Sequence, residues 1–143
     1  MSPMSDSQAE ILLIEGDQIL LDLIQLSLEQ QDYQVLVAHN GEEALAAFQR
    51  HQPKVVLLDL FLHQTNALTL IRQLKELSRE KQTTIIVLSA LGYREVIRQA
   101  MNAGAKDFIL KPVNMDMLLD RIKKVFGQSH KPKVSKPEFP KVL

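Results

Sequence analysis

The sequence predicts an α/β fold: a doubly wound, five-stranded parallel sheet between two helical layers. Three observations carry this. Short apolar runs such as Ile11-Leu12-Leu13-Ile14 and Val55-Val56-Leu57-Leu58 read as strands buried on both faces. Between them, apolar residues recur at helical spacing. The two patterns alternate five times, which implies βα units with right-handed crossovers.

The elements follow in order. Ile11–Ile14 is a first strand, and Gln18–Gln31 a helix with Leu20, Leu23, Ile24 and Leu28 as its apolar stripe. Asp17 stands where a helix N-cap would. Tyr33–Ala38 is a second strand, with β-branched Val35 and Val37. Asn40-Gly41-Glu42-Glu43 has the form of a capping box and opens a helix carrying Ala44, Leu45 and Phe48. Pro53 closes that connection before a third strand, Val55–Leu58. Leu68, Ile71, Leu74 and Leu77 give a third helix, and Thr84–Leu88 a fourth strand. Val96, Ile97, Ala100 and Met101 form a shorter stripe, closed by Gly104. Ala105–Leu110 is the fifth strand. Asn114 caps a last helix bearing Leu118, Leu119, Ile122, Val125 and Phe126, which Gly127 ends. The expected strand order is 2-1-3-4-5, a flavodoxin-like three-layer αβα arrangement.

Composition narrows the function. At 143 residues the chain suits one domain with a real core. The expected division is a disordered N-terminus over 1–8, a folded body over 9–127, and a basic Pro/Lys-rich segment over 128–143. That last segment reads as a solvated tail, a linker to an output domain, or a basic docking segment with Phe139, Val142 and Leu143 as apolar handles. Seventeen basic residues balance 17 acidic ones, so no global field favours nucleic acid or membrane. Cysteine is absent, which fits a reducing cytosol. Met1-Ser2-Pro3-Met4-Ser5-Asp6 lacks the apolar core of a signal peptide, and no apolar stretch reaches the roughly 18 residues of a membrane span. The expected location is cytoplasmic.

In open α/β sheets, ligands bind beyond the carboxyl ends of the strands. Those ends carry Glu15-Gly16-Asp17, Asp59, Ser89-Ala90 and Lys111-Pro112. A carboxylate such as Asp59, following four apolar residues, is costly unless a site needs it. Clustered carboxylates repel unless a cation joins them, and Mg²⁺ typically takes one or two carboxylates plus phosphate and water. A lysine and a hydroxyl nearby suit phosphoryl oxygens. The set points to phosphoryl chemistry, with Asp59 as carboxylate nucleophile.

Four segments in this order and spacing carry a specific resemblance. They are Ile11-Leu12-Leu13-Ile14-Glu15-Gly16-Asp17, Val56-Leu57-Leu58-Asp59-Leu60, Ile86-Val87-Leu88-Ser89-Ala90 and Ala103-Gly104-Ala105-Lys106-Asp107-Phe108-Ile109-Leu110-Lys111-Pro112. Over residues 9–127 the chain resembles the response-regulator receiver domain of two-component signalling. The resemblance implies that Asp59 accepts a phosphoryl group from a histidine kinase or phosphotransfer protein. It implies that Lys111 pairs with the phosphoryl oxygens, that Ser89 turns to hydrogen-bond them, and that Phe108 is the switch aromatic that follows Ser89 inward. Lys111-Pro112 is expected to be a cis peptide. Asp59 and Glu15 would hold Mg²⁺. An output protein, or an effector domain beyond this chain, would read the switch, and homodimerisation through the fourth-helix face stays open.

Two departures from the family pattern stand out. The second of its two adjacent acids, a direct Mg²⁺ ligand, is Gly16 here. One charge pair at about 4 Å contributes about 4 kcal/mol at an effective dielectric near 20, partly offset by desolvation. Weakened Mg²⁺ affinity is therefore expected, by on the order of 10- to 1000-fold. Asp17 is a substitute ligand unless the helix cap commits it. The second departure is the loop His63-Gln64-Thr65-Asn66-Ala67, where the family often has Pro, Gly and Asp-Gly. His63 reads as an exposed loop histidine.

Each residue also has a plainer reading: Asp59 and Lys111 as polar strand ends, Glu15 as a solvated acid, Ser89 as a turn residue, Phe108 as core. Their joint order favours the switch. The alternative is a pseudo-receiver, an interaction module of the same fold with weak or no Mg²⁺-dependent phosphorylation, and Gly16 motivates it. A flavin enzyme is disfavoured, because acids stand where a cofactor phosphate needs donors. A phosphatase of the Asp-x-Asp type is disfavoured because Phe61 holds the second position. No recognition-helix motif suggests direct DNA binding. Self-catalysed phosphoryl acceptance and loss is the only chemistry expected, not turnover of a substrate.

Overall fold

The computed structural model describes residues 10–127. The expected disordered N-terminus (1–8) and basic tail (128–143) lie outside the described residues. In chain order the elements are β1 (Ile11–Ile14), α1 (Gln18–Glu29), β2 (Val35–Ala38), α2 (Gly41–His51), β3 (Val55–Asp59), α3 (Ala67–Leu77), a 3₁₀ turn (Arg79–Lys81), β4 (Thr84–Ser89), α4 (Arg94–Ala103), β5 (Asp107–Leu110) and α5 (Met115–Phe126). All strand pairs are parallel and the order is β2-β1-β3-β4-β5, as the sequence implies.

Strand alternation divides the core into two layers. Leu12, Ile14, Val56, Leu58, Ile85 and Val87 face α2, α3 and α4, packing on Phe48, Ile71, Leu74 and Ala100. Ile11, Leu13, Val55, Leu57, Ile86 and Leu88 face α1 and α5, packing on Ile24, Leu28, Leu118 and Ile122. No described helix is long and apolar enough to cross a membrane.

Four helices start on side-chain caps. Asp17 Oδ1 accepts from the N–H groups of Ile19 and Leu20, Asn40 Oδ1 from Glu43, Asn66 Oδ1 from Thr69, and Asn114 Oδ1 from Met117. The box at α2 closes one residue early, since Glu43 Oε1 accepts from the His39 N–H rather than from Asn40.

Several expected details move. β2 begins at Val35, not Tyr33: Asp32 takes φ +68°, and the Tyr33 N–H still bonds back to Leu28 O. β5 begins at Asp107, not Ala105, because Gly104 at φ +131° lets the Ala105 N–H close α4 on Ala100 O. α1 ends at Glu29, and β3 extends to include Asp59. Leu23 and Met101 are exposed. The buried stripes are Leu21, Ile24 and Leu28 on α1, and Ala100 with Ala103 on α4.

Candidate functional site

β3 is apolar and buried from Val55 to Leu58, and its last residue, Asp59, reaches the carboxyl edge of the sheet. Asp59 remains only 6% exposed. Its Oδ1 accepts from the Phe61 N–H at 3.0 Å, and its Oδ2 lies 3.4 Å from Lys111 Nζ. β1 is paired directly with β3, so Glu15, one residue past Ile14, arrives beside it.

Glu15 is fully buried. Its Oε2 accepts from the Asp17 N–H at 3.0 Å and from Lys111 Nζ at 3.1 Å. Its Oε1 is buried with no hydrogen-bond partner. Burial pushes the Glu15 carboxyl above the usual range; the Asp17 N–H opposes this, the Asp59 charge adds to it, and Lys111 opposes it. Lys111 is thus one ammonium shared between two buried carboxylates. Such an arrangement leaves an uncompensated buried charge if the cation is lost. The Lys111 N–H donates to Ser89 O at 2.8 Å and so ties the lysine's backbone to the end of β4; the Lys111-Pro112 bond is cis, as expected.

The remaining residues stand near but apart. Ser89 is fully buried, and its hydroxyl donates to Leu91 O at 3.2 Å while accepting from the Leu91 N–H at 3.0 Å. Phe108 is half-buried against the core layer of α2, α3 and α4. His63 is exposed, as expected. It lines a crevice of about 440 Å³ between α2 and the loop into α3, with Asn40, Gly41, Thr65 and Asn66. A crevice of about 200 Å³, between α3 and α4, is lined by Leu60, Phe61, Ala67 and Val96.

The donor set fits a hard divalent cation in part. Mg²⁺ accepts one or two carboxylates together with phosphate and water, and Glu15 offers an unpartnered buried oxygen beside Asp59. Gly16 adds no side chain, and Asp17 spends its Oδ1 on the α1 cap. Among the described residues no group of three or more His, Cys, Asp or Glu is placed to hold a metal ion.

The sequence reading named Glu15, Asp59, Lys111, Ser89 and Phe108, and the fold gathers the first three. It missed the Phe61 and Asp17 N–H groups that hold the two carboxylates. Backbone donors leave no residue-type signal, so only the loop geometry reveals them.

Residues 11–123 match the family described as the response regulator receiver domain. The chain is 30% identical over 118 residues to the chemotaxis protein CheY of Bacillus subtilis, covering 82% of this chain and 97% of that protein. It is 35% identical over 125 residues to the transcriptional regulatory protein KdpE of Staphylococcus aureus, covering 86% of this chain but only 53% of KdpE. It therefore spans about half the length of the transcriptional regulators it matches. Among solved structures, a response regulator from Burkholderia pseudomallei with a phosphorylated aspartic acid, calcium ion and citrate superposes with a TM-score of 0.72 at 28% identity. That match covers 78% of this chain and 65% of the other.

Proposed function

The chain belongs to the response-regulator receiver domain family, and from that premise we propose that Asp59 is the phosphoacceptor of a signalling switch. The observation that carries the reading is the shared ammonium: Lys111 Nζ stands 3.1 Å from Glu15 and 3.4 Å from Asp59. The phosphorylated aspartic acid and calcium ion of the Burkholderia relative support the same assignment.

In this reading an Asp59 carboxylate oxygen attacks the phosphorus of a phosphohistidine on a kinase or phosphotransfer protein. An O–P bond forms as the donor's N–P bond breaks, and the departing imidazole nitrogen keeps the electron pair. Lys111 moves its charge from the carboxylate onto the phosphoryl oxygens. Receiver domains generally bind Mg²⁺ at an acidic pocket; Glu15 and Asp59 would hold it here, and it would supply charge neutralisation. Gly16 weakens that binding. The Ser89 hydroxyl exchanges Leu91 for a phosphoryl oxygen, and Phe108 follows it inward. The α4–β5–α5 face then presents a changed surface to an output protein or effector domain. The switch works in the cytoplasm and turns over no external substrate.

The test is the intact mass of the chain after incubation with phosphoramidate across millimolar Mg²⁺, with Asp59→Asn as control. A phosphoryl mass gain that the control loses is the expected result. Gly16 favours one second reading, a pseudo-receiver that acts through its surface alone. No gain at any Mg²⁺ concentration would select it, and labelling rescued by Gly16→Asp would locate the defect in the metal site.

A further inference from the structure

Helix α1 is apolar on two opposite sides. Leu21, Ile24 and Leu28 are buried against the sheet, while Ile19, Leu23 and Leu26 are 75%, 51% and 55% exposed. At about 100° per residue the exposed trio falls within roughly 60° of arc, facing away from the buried trio. A helix apolar all round is ordinarily covered. Along one edge of the exposed trio run two hydrogen-bonded pairs, Gln18 with Asp22 and Gln25 with Glu29. Asp22 and Glu29 are the only charged residues of α1, and no lysine or arginine precedes Arg50 in the chain.

This surface suits an occupant that is both apolar and cationic. A second copy docked through the same face would set acids against acids. The segment 128–143 has the required chemistry: Lys131, Lys133, Lys136 and Lys141 against the single acid Glu138, interleaved with Val134, Phe139, Val142 and Leu143. It leaves the domain at Gly127, next to Phe126, whose ring lies 5.2 Å from that of Tyr33 just beyond the end of α1. Sixteen residues reach up to about 50 Å, and the apolar trio extends only about 10 Å along the helix. A second exposed apolar group, Leu91, Tyr93, Met101 and Leu110, is accompanied by exposed Arg94 and Lys106, which would repel the same lysines, while Arg98 there is paired with Glu95.

We propose that segment 128–143 docks on the outer face of α1, its apolar residues on Ile19, Leu23 and Leu26 and its lysines along Asp22 and Glu29.

The intact chain contains no cysteine, so Ser135→Cys accepts a single nitroxide label. The label should broaden the amide signals of Ile19, Leu23 and Leu26 selectively within the same molecule. Leu23→Glu, on an exposed position, should restore them with core signals unchanged. Lys133→Glu and Lys136→Glu, each weakening the docking roughly two- to five-fold, should do the same if the helix variant misfolds. Salt near 1 M should also weaken it. Broadening centred on Leu91, Tyr93 and Leu110, or none above background at α1, would overturn the proposal. Broadening that arises only between a labelled and an unlabelled chain would assign the face to a second copy and overturn it equally.

Discussion

Lys111 and Glu15 are 96 residues apart in the chain and 3.1 Å apart in the folded protein. The same ammonium reaches Asp59, so one lysine neutralises two buried acids. Replacing Lys111 with alanine strands both carboxylates. Because the lysine is itself 21% exposed, the loss should be smaller than for a fully buried pair, about 1–3 kcal/mol at neutral pH. Urea denaturation of Lys111→Ala measures it; a loss within error would show that solvent already carries the compensation.

Glu15 should set a pH dependence. Burial, and behind it the Asp59 charge, hold its folded carboxyl above the ordinary value of 4.5. The folded chain therefore keeps a proton on Glu15 where the unfolded chain has lost it. Stability should fall as pH rises from about 4.5 through the raised folded value. Glu15→Gln should flatten that slope in denaturation series run in EDTA. An identical slope in both proteins would assign it to other groups.

Gly16→Asp should be tolerated sterically, because a Cβ there meets only Leu62 Cδ2, at an ordinary 3.9 Å. A third carboxylate beside Glu15 and Asp59 should raise Mg²⁺ affinity by on the order of 10- to 1000-fold, read by calorimetry. Unchanged affinity would mean that Gly16 is not the weak point of the pocket.

Asp17 should behave as a cap and not as a ligand. Asp17→Ala loses the bonds to Ile19 and Leu20 and should cost about 1 kcal/mol. Asp17→Asn keeps the cap and should preserve both stability and Mg²⁺ affinity. If the asparagine variant binds Mg²⁺ markedly more weakly, the carboxylate reaches the ion after all.

Gly104→Ala should destabilise the chain by roughly 1–3 kcal/mol in thermal or urea melts. Its φ of +131° disfavours any side chain, and a Cβ would come within 2.7 Å of Lys75 Cγ. Lys75 cannot easily yield, since its Nζ is anchored on Thr83 O at 2.7 Å. A neutral result would show that the α4–β5 turn relaxes.

Much of this was legible from residue types. Apolar runs marked every strand, and Asp17, Asn40 and Asn114 marked helix starts, because burial and capping act through side chains that a sequence displays. Boundaries were less legible where backbone geometry decides them. Tyr33 looks like a strand residue, yet the turn at Asp32 ties it to α1; Ala105 likewise belongs to the closure of α4. Asn66 caps α3 from within a loop that departs from the family pattern, so its residue type alone does not single it out as a helix start. Leu23 and Met101 fit a helical stripe equally well on either side of the true one, and only packing against the sheet chose between them.

The sequence by itself determined the alternation of strands and helices and which chemical groups stand at the strands' carboxyl ends, because buried runs and helical stripes are written in residue types. The tertiary structure alone decided which of those groups meet. It joined Lys111 to Glu15 and Asp59, tied Ser89 to Leu91, and spent Asp17 on a helix cap. Those choices depend on strand register and on backbone N–H positions, which are properties of the packed chain and not of any residue in it.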